Sequence, residues 1–136
     1  MAFTGPLEDR IRIQELYRSY ADAAFRCDRE AYLACWHKDG VRISPQETLR
    51  GIDALRDGWD QIWTNIKRMA FFSDVGATEV DGDTATAHCY CREIIKLKDG
   101  RIWKLVGRYD DRLVRSGGEW RFIERSYTLL LNEDPF

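Results

Sequence analysis

The sequence has no long apolar run, almost no histidine and no surplus of basic charge. No stretch approaches the roughly 20 apolar residues of a bilayer-spanning helix, so no membrane association is expected. The opening MAFTGPLEDR lacks an apolar core, so no secretory leader is expected and the cytoplasm is the default location. A formal net charge of −2 lacks the basic excess of an electrostatic nucleic-acid binder. The four cysteines, Cys27, Cys35, Cys89 and Cys91, are then expected to be reduced. His88-Cys89-Tyr90-Cys91 does not have the spacing of a tetrahedral zinc site and lacks a second ligand pair. It reads instead as two small apolar thiols on one strand face, and no metal or cofactor is expected. His37 and His88 are the only histidines, hence the only side chains whose unperturbed pKa suits proton transfer near neutrality.

Aromatic residues, by contrast, are plentiful. Five Trp, six Tyr and six Phe in 136 residues suit a well-packed core or a pocket for a flat apolar ligand. The length fits a single domain, residues 1–136, large enough to hold together without disulfides or metal. Pro6, Glu8 and Asp9 open a first helix, whose apolar stripe Ile13, Leu16, Tyr17, Tyr20 and Ala24 carries it to about Arg26. Asp28 has the character of an N-cap for a short second helix through Trp36, ended by Asp39-Gly40. Val41 to Ser44 reads as a short strand stopped by Pro45. A third helix runs from Gly51-Ile52-Asp53 to about Lys67, slightly weakened by Gly58.

After Arg68 the period changes. Met69–Val80, Thr84–Leu97, Ile102–Val114 and Trp120–Leu131 read as four long strands joined by short Gly-containing turns, hence an antiparallel meander. Helices first and hairpins afterwards predict an α+β fold: a cone-shaped, curved antiparallel sheet covered by three N-terminal helices, with an apolar pocket between them. Alternation places Ala85, Ala87, Cys89 and Cys91 on the helix-covered face, and His88 and Tyr90 on the outer face. Trp103, Leu105, Gly107, Tyr109, Asp111 and Leu113 share the inward face of the next strand. The cluster Arg108, Asp110, Asp111 and Arg112 reads as cross-strand pairing.

The stretches IQELYRSYADAAFRCDREAYLACWHKDGV, LRGIDALRDGW, EVDGDTATAHCY and GRYDDRLVRSGGEWRFIERSY, in this order, resemble the SnoaL-like branch of the nuclear-transport-factor-2-like superfamily. That superfamily includes ketosteroid isomerase, scytalone dehydratase and hexachlorocyclohexane dehydrochlorinase, so the fold alone implies little about reaction. The resemblance implies an Asp near the end of the first helix and a His at the start of the first long strand. Those positions fall on Phe25 and on Phe71 or Phe72, neither of which moves a proton. Among the nearby carboxylates, Asp28 is a catalytic candidate beside its capping role, and Asp22 lies near the same turn. The isomerase pattern implies a Tyr at Tyr20, a base near Ser44 and a second oxyanion donor at Tyr109.

The candidate catalytic residues are thus Tyr20, Tyr109 and Asp28, and the candidate ligand-binding residues Phe25, Ser44, Trp59, Trp63, Phe71, Trp103 and Tyr127. Arg125 and Tyr127 alternate with the packing residues Trp120 and Phe122 and are expected at the pocket mouth. Three functions stay open. One is a cofactor-independent lyase, isomerase or cyclase acting on a hydrophobic cyclic or aromatic molecule. The others are a hydrophobic ligand binder without chemistry, and a structural subunit like the small subunits of ring-hydroxylating dioxygenases. An ionisable group converging on the cavity would favour the first, a wholly apolar cavity the second, and a filled one the third. A homodimer through the outer sheet face is expected with each.

Overall fold

The computed structural model describes residues 2–132. Helix α1 (Leu7–Arg26) follows Pro6 and buries Ile13, Tyr17, Tyr20, Ala23 and Ala24, the apolar stripe expected of it. Cys27 closes the helix in the left-handed region (φ 54°), which allows Asp28 N–H to donate to the Ala23 carbonyl at 2.9 Å. Asp28 then caps α2 (Arg29–Ala34), accepting from the Ala31 N–H at 3.0 Å.

The second helix ends before Trp36, because Trp36 begins strand β1 (Trp36–Ile43) and pairs with Phe122. Asp39-Gly40 is therefore not a helix stop. It lies in an irregular part of β1, where Gly40 packs on the Trp36 ring too closely for any side chain. A three-residue strand, β2 (Thr48–Arg50), follows and pairs antiparallel with β1. Helix α3 (Ile52–Trp63) stops short of Lys67, because Ile66 already starts a sheet strand and pairs with Leu97. Gly58 in α3 has a packing reason: a side chain there would run into Leu49 of β2.

The four long strands are β3 (Ile66–Asp81), β4 (Thr84–Leu97), β5 (Ile102–Ser116) and β6 (Glu119–Asn132), an antiparallel meander as expected. The six-stranded sheet has the order β2-β1-β6-β5-β4-β3. It is mixed rather than purely antiparallel, since β1 lies parallel to β6. Register shifts at Val75/Thr78, Val106/Gly107 and Arg112/Leu113 bend the long strands, which makes the sheet curl around the helices.

The inward series Ala85, Ala87, Cys89, Cys91, Ile95 and Leu97 of β4 is buried, together with Tyr109, Asp111 and Leu113 of β5. Ala85, Ala87, Cys89, Cys91, Tyr109 and Leu113 pack under α1 and against Trp36, Leu55, Trp59, Trp120 and Phe122 in the main core, while Ile95 and Leu97 form a smaller cluster with Ile66. No helix among the described residues is long and apolar enough to cross a membrane.

Candidate active site

The inner face of the sheet does not close completely under α3. A cavity of about 170 Å³ remains between α1, α3 and strands β1, β3, β4 and β5. One wall is apolar: Trp59 and Trp63 from α3, Met69 and Phe71 from β3, Ile95 from β4, and Trp103 from β5. The Trp59 and Trp63 rings lie 5.4 Å apart, and Tyr32 packs against Trp59 at 4.5 Å. The opposite end is polar and is made by Tyr20, Tyr32, Arg42, Glu93 and Tyr109.

Glu93 occupies the next inward position after Cys91, on a strand whose other inward residues are apolar. Loss of water around it raises its carboxyl above the ordinary value, an effect that the nearby Arg42 charge and the Cys91 thiol only partly offset. That thiol lies 3.9 Å from Glu93 Oε1. Arg42 comes from β1 and donates to the Tyr109 hydroxyl at 3.5 Å. Proximity to Tyr109 raises the Arg42 pKa further and outweighs the opposing effect of burial. Burial lifts the phenols of Tyr20, Tyr32 and Tyr109 well above their usual value, so all three stay protonated near neutrality and can donate hydrogen bonds. The cavity thus combines one carboxyl able to exchange a proton, one fixed cation and a row of neutral hydroxyls.

Behind the tyrosines lies a second polar cluster with no access to the cavity. Arg125 Nε and Nη2 donate to the two carboxylate oxygens of Asp111 at 2.8 and 3.0 Å, and the Tyr17 hydroxyl donates to Asp111 Oδ2. The guanidinium lies 3.9 Å from the Tyr109 ring centroid and 4.4 Å from that of Tyr20. Arg125 is therefore a fully buried cation backing the site, not a residue of the pocket mouth. Asp111 pairs with it rather than within the surface cluster, where Arg108 and Asp110 bond each other instead.

Six of the ten candidate residues come together on the cavity: Tyr20, Tyr109, Trp59, Trp63, Phe71 and Trp103. Four do not line it. Asp28 is spent on capping α2 and pairs with Arg26 at the surface. Phe25 is 48% exposed and meets Phe72 edge-to-face at 5.4 Å on the free edge of the sheet. Phe72 packs on Phe25, while Phe71 turns into the cavity. Ser44 bonds the Glu47 carbonyl in the turn after β1. Tyr127 packs on Tyr109 at 5.1 Å, outside the cavity lining. Asp22 is held by Arg26 at the surface, and His37 lies beside Asp39. His88 faces away from Cys89 and Cys91, which separates the thiols from the imidazole.

Arg42 and Glu93 are the two charged cavity residues that the sequence reading passed over. Continuing the β4 alternation one step past Cys91 reaches Glu93 directly.

A curved sheet wrapped over helices around a small cavity with a polar end defines a cone-shaped α+β fold. Within that class the chain belongs to the SnoaL-like domain family, whose model matches residues 5–126. No functionally curated protein matches the sequence significantly. Among solved structures, a Novosphingobium aromaticivorans protein provisionally named an aromatic ring hydroxylase shares 26% identity and a TM-score of 0.88, over 94% of this chain and 93% of its own. A provisionally named scytalone dehydratase of the same organism has 19% identity and a TM-score of 0.85, over 96% of this chain and 89% of its own. Hexachlorocyclohexane dehydrochlorinase type 3 of Novosphingobium barchaimii has 16% identity and a TM-score of 0.83, over 93% and 89% of the two chains. The latter two likenesses are of fold.

Proposed function

We propose that the protein is a cofactor-independent acid–base enzyme of the lyase or isomerase type, acting on a compact cyclic or aromatic molecule with a carbonyl or phenol oxygen. The observation that carries this reading is the placement of Glu93 on the cavity together with Arg42 and Tyr109, beside its apolar wall. A carboxyl whose pKa is raised toward neutrality is better matched to proton transfer than an ordinary one. Glu93 takes a proton from the carbon next to the carbonyl. Tyr109, Tyr20 and Arg42 stabilise the negative charge that develops on the oxygen. Glu93 then returns the proton to another carbon, or a group on the adjacent carbon leaves. The positions at Phe25 and at Phe71 or Phe72 are bypassed, because the acid–base work has moved to β4.

Size narrows the ligand. An apolar cavity of about 150 Å³ takes one benzene ring, so a cavity of about 170 Å³ suits a single substituted ring and not a four-ring steroid. This reading is tested by deuterium uptake next to the carbonyl of cyclohexenone-type ketones and phenols in heavy water. Wild type should catalyse exchange, and Glu93→Gln should lose it by about 100-fold or more while still binding. Equal exchange rates in the two proteins would sink the proposal.

A ligand binder without chemistry is the second reading, favoured by Phe25 and by Phe71 or Phe72 at the positions where the family resemblance implies Asp and His. Binding with no exchange in wild type selects it. An open cavity counts against a purely structural subunit. A homodimer through the outer sheet face is part of the proposal, supported by Tyr90 standing 46% exposed there. Sedimentation at micromolar concentration tests it.

A further inference from the structure

The Tyr127 hydroxyl is buried and has no hydrogen-bond partner among the described residues. A buried hydroxyl left unpaired is destabilising, so its placement asks for a reason. Tyr127 is on β6, but its ring reaches across β5 and lies directly over Gly107. Any side chain at residue 107 would collide with the ring and with the hydroxyl itself, so Gly107 is the slot that admits them. The hydroxyl is thereby carried toward β4, where Cys91 is the residue paired with Gly107. The Cys91 thiol in turn lies 3.9 Å from Glu93 Oε1. A phenol donor without a partner is thus delivered to the neighbourhood of the one cavity carboxyl, which otherwise has a weak thiol donor on that side.

We infer that Tyr127 is a positioning residue for Glu93: its hydroxyl, threaded over Gly107, becomes the donor that holds the Glu93 carboxylate once that carboxylate is ionised. This rests on the reading of Glu93 as the proton-transfer group, and its test is independent of turnover. The groups that face Glu93 are Arg42 on β1, Cys91 on its own strand, Tyr109 on β5 and Tyr127 on β6. From β3 the paired residue is the apolar Phe71. Arg42 supplies charge from the cavity end. Tyr127 supplies a directed hydrogen bond from the sheet side, which fixes where the carboxylate points.

The test is a direct titration of the Glu93 side-chain carboxyl by carbon-13 NMR in wild type, Tyr127→Phe and Cys91→Ala. The phenylalanine keeps the ring in its slot, so the fold and the cavity are retained. Loss of a donor to the ionised form should raise the Glu93 pKa in Tyr127→Phe by about one unit. Cys91→Ala, which removes only the thiol donor, should move it less. In thermal melts Tyr127→Phe should lose stability relative to wild type above the Glu93 pKa and not below it. A hydroxyl with a merely structural role gives the opposite pattern, an unchanged or higher melting temperature at every pH. An unshifted or lowered Glu93 pKa in Tyr127→Phe overturns the inference. Active Glu93→Gln would overturn the function of Glu93 while leaving this titration to stand on its own.

Discussion

Arg125 and Asp111 meet side-on across β5 and β6, with two parallel hydrogen bonds of 2.8 and 3.0 Å and side chains only 1% and 0% exposed. Burial works against both charges. For Arg125 burial is the largest single effect, but the Asp111 charge and hydrogen bonds together with Tyr20 and Cys89 outweigh it, and the guanidinium stays protonated. For Asp111 the loss of water is the larger effect, and its pKa rises despite Arg125. Removing one partner leaves the other charged and dry. Arg125→Met or Asp111→Asn alone should therefore cost about 3–5 kcal/mol in urea unfolding. Replacing both by apolar residues should cost clearly less than the sum of the two single changes, as a double-mutant cycle would show. Additive losses would mean that the pair is not the unit of stability.

Glu93 sets a pH dependence whose sign follows from its raised pKa. Between the ordinary carboxylate value and the raised one, the folded chain binds more protons than the unfolded chain. Stability therefore falls as pH rises through that window. Glu93→Gln lacks the ionisation, so it should be more stable than wild type above the window and equal to it below. Melting temperatures at about pH 4 and about pH 8 compare the two. A variant less stable than wild type at the higher pH would contradict the cause assigned to the shift.

Much of this architecture could be read from the residues in order. The hairpins of the meander announce themselves in short turns and in alternation, so the inward faces of β4 and β5 follow from period two alone. Glu93 was equally accessible, since it continues the series Ala85, Ala87, Cys89, Cys91. It escaped because the family pattern drew attention to Phe25 and Phe71 instead. Arg42 was hidden for a different reason. Its strand pairs parallel with β6, at the far end of the sequence, and local pattern says nothing about so distant a partner. Strand β2 has three residues, too few to show any period. Helix α3 ends early because a long-range pairing, Ile66 with Leu97, takes over residues that helical spacing alone would have kept.

Gly58 gives a prediction opposite to helix propensity. In a solvated helix, Gly→Ala adds up to about 1 kcal/mol of stability. At residue 58 the added methyl meets Leu49 of β2. Gly58→Ala should instead destabilise by about 1–3 kcal/mol, as overpacking does. Adding Leu49→Ala should recover part of that loss in denaturant titration. A simple gain in Gly58→Ala would show that β2 gives way freely.

Asp28 separates a cap from a catalyst. Its carboxylate accepts from the Ala31 N–H and lies outside the cavity. Asp28→Ala should lower stability by about 1 kcal/mol, and Asp28→Ser should restore most of it. Deuterium exchange at saturating ketone should be the same in all three proteins. A selective loss of exchange in Asp28→Ser would return Asp28 to the chemistry.

The placement of β6 between β1 and β5 makes the site a late product of synthesis. Arg42 is translated early, yet the only long strand that β1 joins is β6, which leaves the ribosome after every other strand. Until β6 is seated, β1 has no route into the sheet, and the cation has no fixed position opposite Glu93. The wall from β3 to β5, with Glu93 and Tyr109 on it, can form as local hairpins, whereas Arg42 waits for the slow, non-local closure. A nascent chain therefore passes through a stage in which the groove already holds the Glu93 carboxyl but has no cation opposite it.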